Sequence, residues 1–252
     1  MTDLVSVHLQ GGLGNQLFQV ATAYAYARRN QKKLVLDHAT TSTAPRPTYF
    51  DTILLWVTDG EMKTSTSLAE QAFAFAPLPP QPGNVLLTGY FQSNKYFEAF
   101  RSELLFRLRK PELLPQDHPL VVALLQPKRT ERYVSLHVRR GDYVGHAVHP
   151  VQTLEFYEKA WAAISERERA PLHLVIFSDD LAWCRENLRP HDAVECVYVD
   201  FLSHDYQELQ LMSLCDHHII ANSSFSWWGA YLDNKSYGIT VAPANWFQSS
   251  IT

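Results

Sequence analysis

The stretch "YVSLHVRRGDYVGHAVHP", residues 133–150, leads an apolar strand into His137, Arg139, Arg140 and Asp142. A guanidinium presents a rigid fork of N–H donors that matches phosphate oxygens, and it stays charged at any physiological pH. Arg139 or Arg140 is therefore suited to hold a diphosphate. Strand alternation puts His137 and Arg139 on one face and Arg140 on the other. Taken alone, the pair is better explained by ion pairing with Asp142 or by side chains lying along the sheet edge.

Other strings set polar residues where chemistry could occur. In "GGLGNQ", residues 11–16, Gly12 and Gly14 begin a Gly-x-Gly pattern after a strand, and Asp37 ends the next strand as a ribose reader would. Leu17 stands at the third glycine position of that fingerprint, so a plain turn that lets helix and strand approach closely stays open. No Gly-Lys-Ser/Thr follows, which excludes a P-loop. "NSSFSWWGAYL", residues 222–232, puts Ser223, Ser224 and Ser226 at a helix start. Hydroxyls and free N–H groups there can bind phosphate, although any one of the serines could be the N-cap. Trp227 and Trp228 read as core. Asp179 and Asp180 fit a metal or a helix cap, and capping suits them better because no third ligand is near in sequence. His217 and His218 open a buried strand as core or rim histidines.

These residues need elements to carry them. "LVSVHL" (4–9) reads as a strand, "QLFQVATAYAYARRN" as a helix and "KKLVLD" (32–37) as the next strand, a β-loop-α-β unit. Residues 38–84 are irregular, then "VLLTGYF" reads as a strand and "SNKYFEAFRSELLFRLR" as one amphipathic helix. Three prolines interrupt residues 110–119. Regular alternation follows, from "YVSLHV" through "LHLVIF", "VECVYV" and "HHIIA" to "ITVAP", with helical patterns between. The pattern implies two α/β units, 1–120 and 130–252, each with a parallel sheet covered on both faces. Ligands in such sheets bind at the carboxyl ends of the strands, where four of these strings fall, and one large cleft is expected.

Composition narrows the partners. The chain has 252 residues, 46% hydrophobic and 19% charged, with a net charge of −4 and a pI near 6.2. No general attraction to nucleic acid or anionic lipid is expected, and a phosphate site must be built locally. Cys184, Cys196 and Cys215 lack metal-ligand spacing and read as reduced. No signal peptide or membrane span is read, so a cytoplasmic protein is expected, free or peripheral to the inner membrane.

Together, "GGLGNQLFQ", "GYFQSNKYF", "HVRRGDYV", "FSDD" and "LQLMSLCDHHIIANSSFSWWGAYL" resemble the inverting α-1,2-fucosyltransferases, in the bacterial form without a membrane stem. The strings fall in the right order over nearly the whole chain. The resemblance implies a GT-B fold, two Rossmann-like domains facing across a cleft, with an acceptor-side domain at 1–120 and a donor domain at 130–252. It implies GDP-β-L-fucose as donor, the 2-hydroxyl of a terminal β-galactoside as acceptor, and transfer with inversion without metal or other cofactor. By the same resemblance His137 and Arg139 hold the donor diphosphate with Arg140 behind them, and Ser223, Ser224 and Phe225 contact it. Glu208 reads the guanine edge, and Asn15 with Gly12 and Gly14 reaches the diphosphate or the fucose. Arg139 would then stabilise charge on the departing phosphate, aided by His137. Asp142 ranks first as general base, with His146 and His149 in the same loop. The chain is shorter than that family leads one to expect, and the missing length is assigned to 38–84. Two alternatives stand beside this reading: a dinucleotide-dependent oxidoreductase using the glycine turn and Asp37, and a non-catalytic GDP- or sugar-binding module. Oligomeric state is not legible.

Overall fold

The computed structural model describes residues 2–36, 48–62, 65–145 and 150–247. The chain divides into two units, Met1–Arg109 and Lys110–Thr252. The expected boundary, between 120 and 130, therefore moves to the end of the first helical region. Leu114, Leu120, Val121 and Leu124 share a core cluster with Val175, Phe177 and Leu211 of the second unit, and that burial outweighs the prolines between them. Pro119 opens a short helix, where its missing N–H costs no hydrogen bond.

In the first unit β1 (Leu4–Val7), β2 (Lys33–Leu36), β3 (Thr58–Asp59), β4 (Thr66–Ala69) and β5 (Val85–Thr88) form a parallel sheet in the order β3-β2-β1-β5-β4. Two of these strands lie in the region read as irregular. β4 pairs β5 from Thr66↔Val85 to Ala69↔Thr88, yet its side chains are mostly exposed, so the backbone ladder alone makes it a strand. No alternation of apolar residues could reveal it. Asp37 lies outside the described residues.

Helix α1 (Leu13–Arg29) is buried almost all round, beyond the single apolar stripe of a surface helix. Rings from later in the unit cover it: Phe97 meets Phe18 at 5.8 Å, and Trp56 and Phe100 meet Tyr24 at 5.5 and 6.2 Å. The segment 93–109, expected as one helix, breaks into two 3-10 turns, Asn94–Tyr96 and Glu98–Phe100, before α2 (Arg101–Leu108). At the break Phe97 has φ −136° and ψ 1° and is fully buried, so packing its ring on α1 wins over helix continuity.

The second unit contains α3 (Pro119–Leu125), β6 (Arg132–Val138), α4 (Leu154–Ser165), β7 (Leu172–Ser178), α5 (Leu181–Asn187), β8 (Glu195–Tyr198), α6 (Asp205–Leu214), β9 (His217–Ile219), α7 (Ser224–Tyr231) and β10 (Thr240–Val241). Its parallel sheet has the order β10-β9-β6-β7-β8. β6 and β7 pair over their whole lengths, from Arg132↔Leu172 to Val138↔Ser178. Leu136, Leu174 and Ile176 bury one face with Tyr157, Trp161 and Ile164 of α4, while Val175 and Phe177 bury the other with Leu211 and Met212 of α6. The two-sided burial explains the unbroken apolar runs.

Two polar clusters inside this sheet are tied. Asp216, fully buried before β9, accepts from Tyr133 N at 2.9 Å, Arg129 Nη2 at 2.8 Å and the Tyr237 hydroxyl at 2.9 Å. Ser135 Oγ lies 2.7 Å from His218 Nδ1, and His218 Nε2 lies 3.3 Å from Asp233. All three residues are buried, so this Ser-His-Asp chain is a satisfied core network. Among the described residues no helix is long and apolar enough to cross a membrane.

The contact between α6 and α7 is the tightest test of this packing. A Cβ added to Gly229 would stand 2.8 Å from Met212 Sδ and 2.9 Å from Met212 Cβ. Gly229→Ala gains about 0.8–1.0 kcal/mol of helix propensity and meets overpacking of about 1–3 kcal/mol. A net loss is expected, read as a lower urea midpoint followed by tryptophan fluorescence. An unchanged or higher midpoint would mean that the two helices yield freely.

Candidate functional site

The carboxyl ends of β6, β7 and β9 and the start of α7 carry most of the candidate residues of the second unit. His137 is the penultimate residue of β6 and is buried beside Phe225, with ring centroids 5.5 Å apart. Among the described residues its Nδ1 has no hydrogen-bond partner. Burial, reinforced by the Arg139 charge, lowers its pKa to about 4, so the imidazole is neutral at physiological pH. The cations of the site are the arginines.

Arg139 lies between two carboxylates, Nη2 at 2.8 Å from Asp142 and Nη1 at 3.0 Å from Asp179. Burial opposes its charge, and the Asp142 and Asp179 carboxylates more than restore it. Asp179 uses its second oxygen to accept the backbone N–H of Arg140 at 2.9 Å, which fixes where the chain leaves β6. Arg140, past the end of β6, takes a different partner and donates Nε to Asp180 at 3.0 Å with its guanidinium 4.3 Å from the Trp183 ring centroid. Asp180 also caps α5 by accepting from Trp183 N at 3.1 Å. The two aspartates thus hold one arginine each, a role beyond the capping read from sequence. Gly141 has to be small here, since a Cβ would come within 2.9 Å of Asp179 Oδ2.

The loop after β6 is tied to the end of β9 through Asn222. Its Nδ2 donates to Pro150 O at 3.2 Å and Trp246 O at 3.1 Å, its Oδ1 accepts from Gln152 at 3.1 Å, and its carbonyl accepts from the Tyr143 hydroxyl at 3.2 Å. Ser223 is the N-cap of α7, accepting from Phe225 N at 3.3 Å. Ser224 opens the helix, while Ser226 is buried and turned back onto the carbonyls of Ala221 and Ser223. Of the three serines, Ser226 is therefore removed from any ligand. Glu208 lies in the first turn of α6, and burial, then the charges of Asp205 and Asp179, push its carboxyl up to about 7. Asp142 is half-exposed and ion-paired. His146 and His149 lie outside the described residues. Among the described residues no three His, Cys, Asp or Glu side chains converge as metal ligands.

In the first unit the glycine turn differs from the dinucleotide fingerprint. Gly11 carries the left-handed φ of +76°, Gly12 is the extended N-cap of α1, and Gly14 already lies inside the helix. The helix thus opens within the glycine run, and the departure lies at Leu17, buried in α1 at the position where the fingerprint has a third glycine for close helix–strand packing. Asn15, in the first helical turn, accepts from Gln92 Nε2 at 2.7 Å. Two buried glutamines unremarked in the sequence brace the turn: Gln16 Nε2 donates to Gly11 O at 3.1 Å, and Gln19 exchanges two hydrogen bonds with the Gln10 backbone.

Two parallel-sheet α/β units, with arginines and a helix start at the strand ends of the second, make up the GT-B type of glycosyltransferase fold. Solved fucosyltransferase structures share the fold. NodZ alpha-1,6-fucosyltransferase soaked with GDP-fucose aligns at TM-score 0.54 and 12% identity over 92% of this chain and 93% of its own. POFUT1 in complex with GDP aligns at TM-score 0.55 and 13% identity over 96% and 98%. The chain belongs to glycosyl transferase family 11, whose profile matches residues 53–252. It is 30% identical to an alpha-1,2-colitosyltransferase of Escherichia coli, over 98% of this chain and 93% of the relative. It is 29% identical to a galactoside 2-alpha-L-fucosyltransferase SEC1 of Bos taurus, over 95% and 66%. The protein is accordingly a glycosyltransferase, and the oxidoreductase reading falls with the glycine fingerprint.

The buried neutral His137 has a measurable signature. Its folded pKa lies below the unfolded value of about 6.5. The unfolded chain therefore takes up the proton first, and stability from this group is lost as pH falls from about 6.5 toward 4. In a histidine NMR titration His137 should stay neutral above pH 5, and His137→Gln should flatten part of the stability loss between pH 7 and 5. A midpoint near 6.5 would contradict the burial argument.

Proposed function

We propose that this protein is an inverting α-1,2-fucosyltransferase that moves L-fucose from GDP-β-L-fucose to the 2-hydroxyl of a terminal β-galactoside, without a metal. The observation that carries the reading is Arg139, a cation held by carboxylates at the end of β6 beside a buried, unpartnered imidazole nitrogen. Family membership and relatives named as galactoside 2-alpha-L-fucosyltransferases support the substrate pair. In this reading His137, Arg139, Ser223, Ser224 and Phe225 hold the diphosphate, Arg140 anchors the loop and Glu208 reads guanine.

The acceptor oxygen bonds to the anomeric carbon on the face opposite GDP while the bond to the β-phosphate oxygen breaks, its electron pair leaving with GDP. Arg139 meets the negative charge that grows there, so it stabilises the transition state more than the ground state. Asp142 takes the acceptor proton. Arg139 holds that carboxylate at 2.8 Å, which keeps it beside the reacting centre in this reading.

The reading is tested by incubating the protein with GDP-fucose and terminal β-galactosides in EDTA, then assigning linkage and anomer by NMR. An α-1,2-linked product is expected. A chelator-sensitive rate restored by Mg²⁺ would overturn the metal-free mechanism. The colitosyltransferase relative supports a second donor, since colitose is fucose without its 3-hydroxyl. A higher kcat/KM for GDP-colitose would move the assignment to that sugar.

Arg139→Lys keeps a charge and loses the planar fork. Losing an aimed donor costs about 2.7–4 kcal/mol, so kcat should fall at least about a hundredfold, with a smaller change in GDP affinity. A folded variant within tenfold of the parent would remove Arg139 from this role.

Glu208 links donor binding to pH. A carboxylate that accepts from guanine N–H groups must be ionised, and this one titrates near 7. GDP affinity should rise from pH 6 to 8 more steeply in the parent than in Glu208→Gln, and the variant should discriminate less between GDP and UDP. Identical pH slopes in calorimetry would rule Glu208 out as the guanine reader.

A further inference from the structure

The first unit carries a pocket against the C-terminal half of α1. It has a volume of about 210 Å³ and is lined by Thr22, Arg29, Phe75, Lys95 and Tyr96 together with Tyr26, Asn30, Pro77 and Leu78. Pockets for drug-sized ligands start at roughly 300 Å³, so this one has room for a single sugar ring or a small acid. Along α1, Thr22 lies about 10 Å and Arg29 about 21 Å beyond Asn15. The pocket is therefore separate from the glycine turn.

Its chemistry is cationic and amphipathic. Arg29 donates Nη1 to Tyr96 O at 2.5 Å, with its guanidinium 5.4 Å from the Phe100 ring centroid, and Lys95 Nζ lies 5.8 Å from that of Phe75. Among the described residues neither cation has a carboxylate partner. Nearby cations of the same unit do, Arg28 with Glu103 and Lys32 with Asp3. Glu70, which acts electrostatically on Tyr96, is already used by the N–H groups of Tyr90 and Phe91. Thr22 is 1% exposed, and its hydroxyl has no hydrogen-bond partner among the described residues. A buried hydroxyl left unpaired is costly, and a ligand oxygen in the pocket would satisfy it. Phe75, partly exposed at 38%, stands edge-on to Tyr96 at 4.8 Å and offers an apolar face.

The wall is preformed. The Tyr26 hydroxyl donates to Pro79 O and accepts from Gln81 N, both at 3.0 Å, and the Tyr96 hydroxyl accepts from Ala76 N at 3.3 Å. The segment 75–81 is thus pinned against α1 before any ligand arrives.

We propose that this pocket binds a small anion of carboxylate or phosphate chemistry, its charge met by Lys95 and Arg29, an oxygen reaching Thr22, and any sugar ring lying on Phe75. The source is an acidic sugar residue of a glycan or a free phosphate. The site lies apart from the residues assigned above to the donor.

The test titrates methyl β-D-glucuronide, inorganic phosphate and the neutral methyl β-D-galactoside into protein labelled at threonine methyl groups. A saturable, salt-sensitive shift of the Thr22 methyl is expected with the glucuronide, weakened at least about tenfold by Lys95→Glu and about fivefold by Lys95→Gln should the reversal fail to fold. Lys95-dependent binding of phosphate alone would keep the anion site and identify free phosphate as its ligand. No binding of either anion, equal binding of the galactoside, or affinity indifferent to Lys95 would overturn the proposal.

Discussion

One carboxylate positions the charge on which the site of the second unit depends. Asp179, at the end of β7, divides its two oxygens between the Arg139 guanidinium and the Arg140 N–H, so side chain and backbone of the neighbouring strand end are fixed together. Because β6 and β7 pair in full register up to Val138↔Ser178, the two strand ends arrive side by side and the ion pair forms without a long loop. Asp180 repeats the arrangement one residue on, capping α5 and holding Arg140 over Trp183. A partly buried guanidinium is stable here because two carboxylates are held in place to pair with it.

The same crowding sorts the titratable groups. His137 is kept neutral by burial and by the neighbouring cation, which leaves it a hydrogen-bonding group instead of a second positive charge. Glu208, pressed by burial and by Asp205 and Asp179, is brought into the physiological range.

Polar burial elsewhere serves architecture. Gln16 and Gln19 brace the glycine turn from inside α1, and Asp216 gathers three donors beneath the sheet. The Ser135–His218–Asp233 chain has the residue types of a nucleophilic triad and none of its access, since all three are buried. Residue type without exposure would have misled; burial decides the matter.

What the sequence determined by itself is the order of elements from β6 to β10, the α/β class and the residues at the strand ends. These follow from local pattern: unbroken apolar runs for strands covered on both faces, helical periodicity between them, and His137, Arg139 and Arg140 read off by alternation. Tertiary structure alone decided what depends on distant partners. β3 and β4 exist through backbone pairing with no side-chain pattern to announce it, and 93–109 breaks because Phe97 is drawn onto Phe18. Residues 110–125 join the second unit through buried leucines that meet their partners only in the fold. Asp179 could be read locally as a cap, but its bridge to Arg139 spans 40 residues of chain, a distance that only the pairing of β6 with β7 closes.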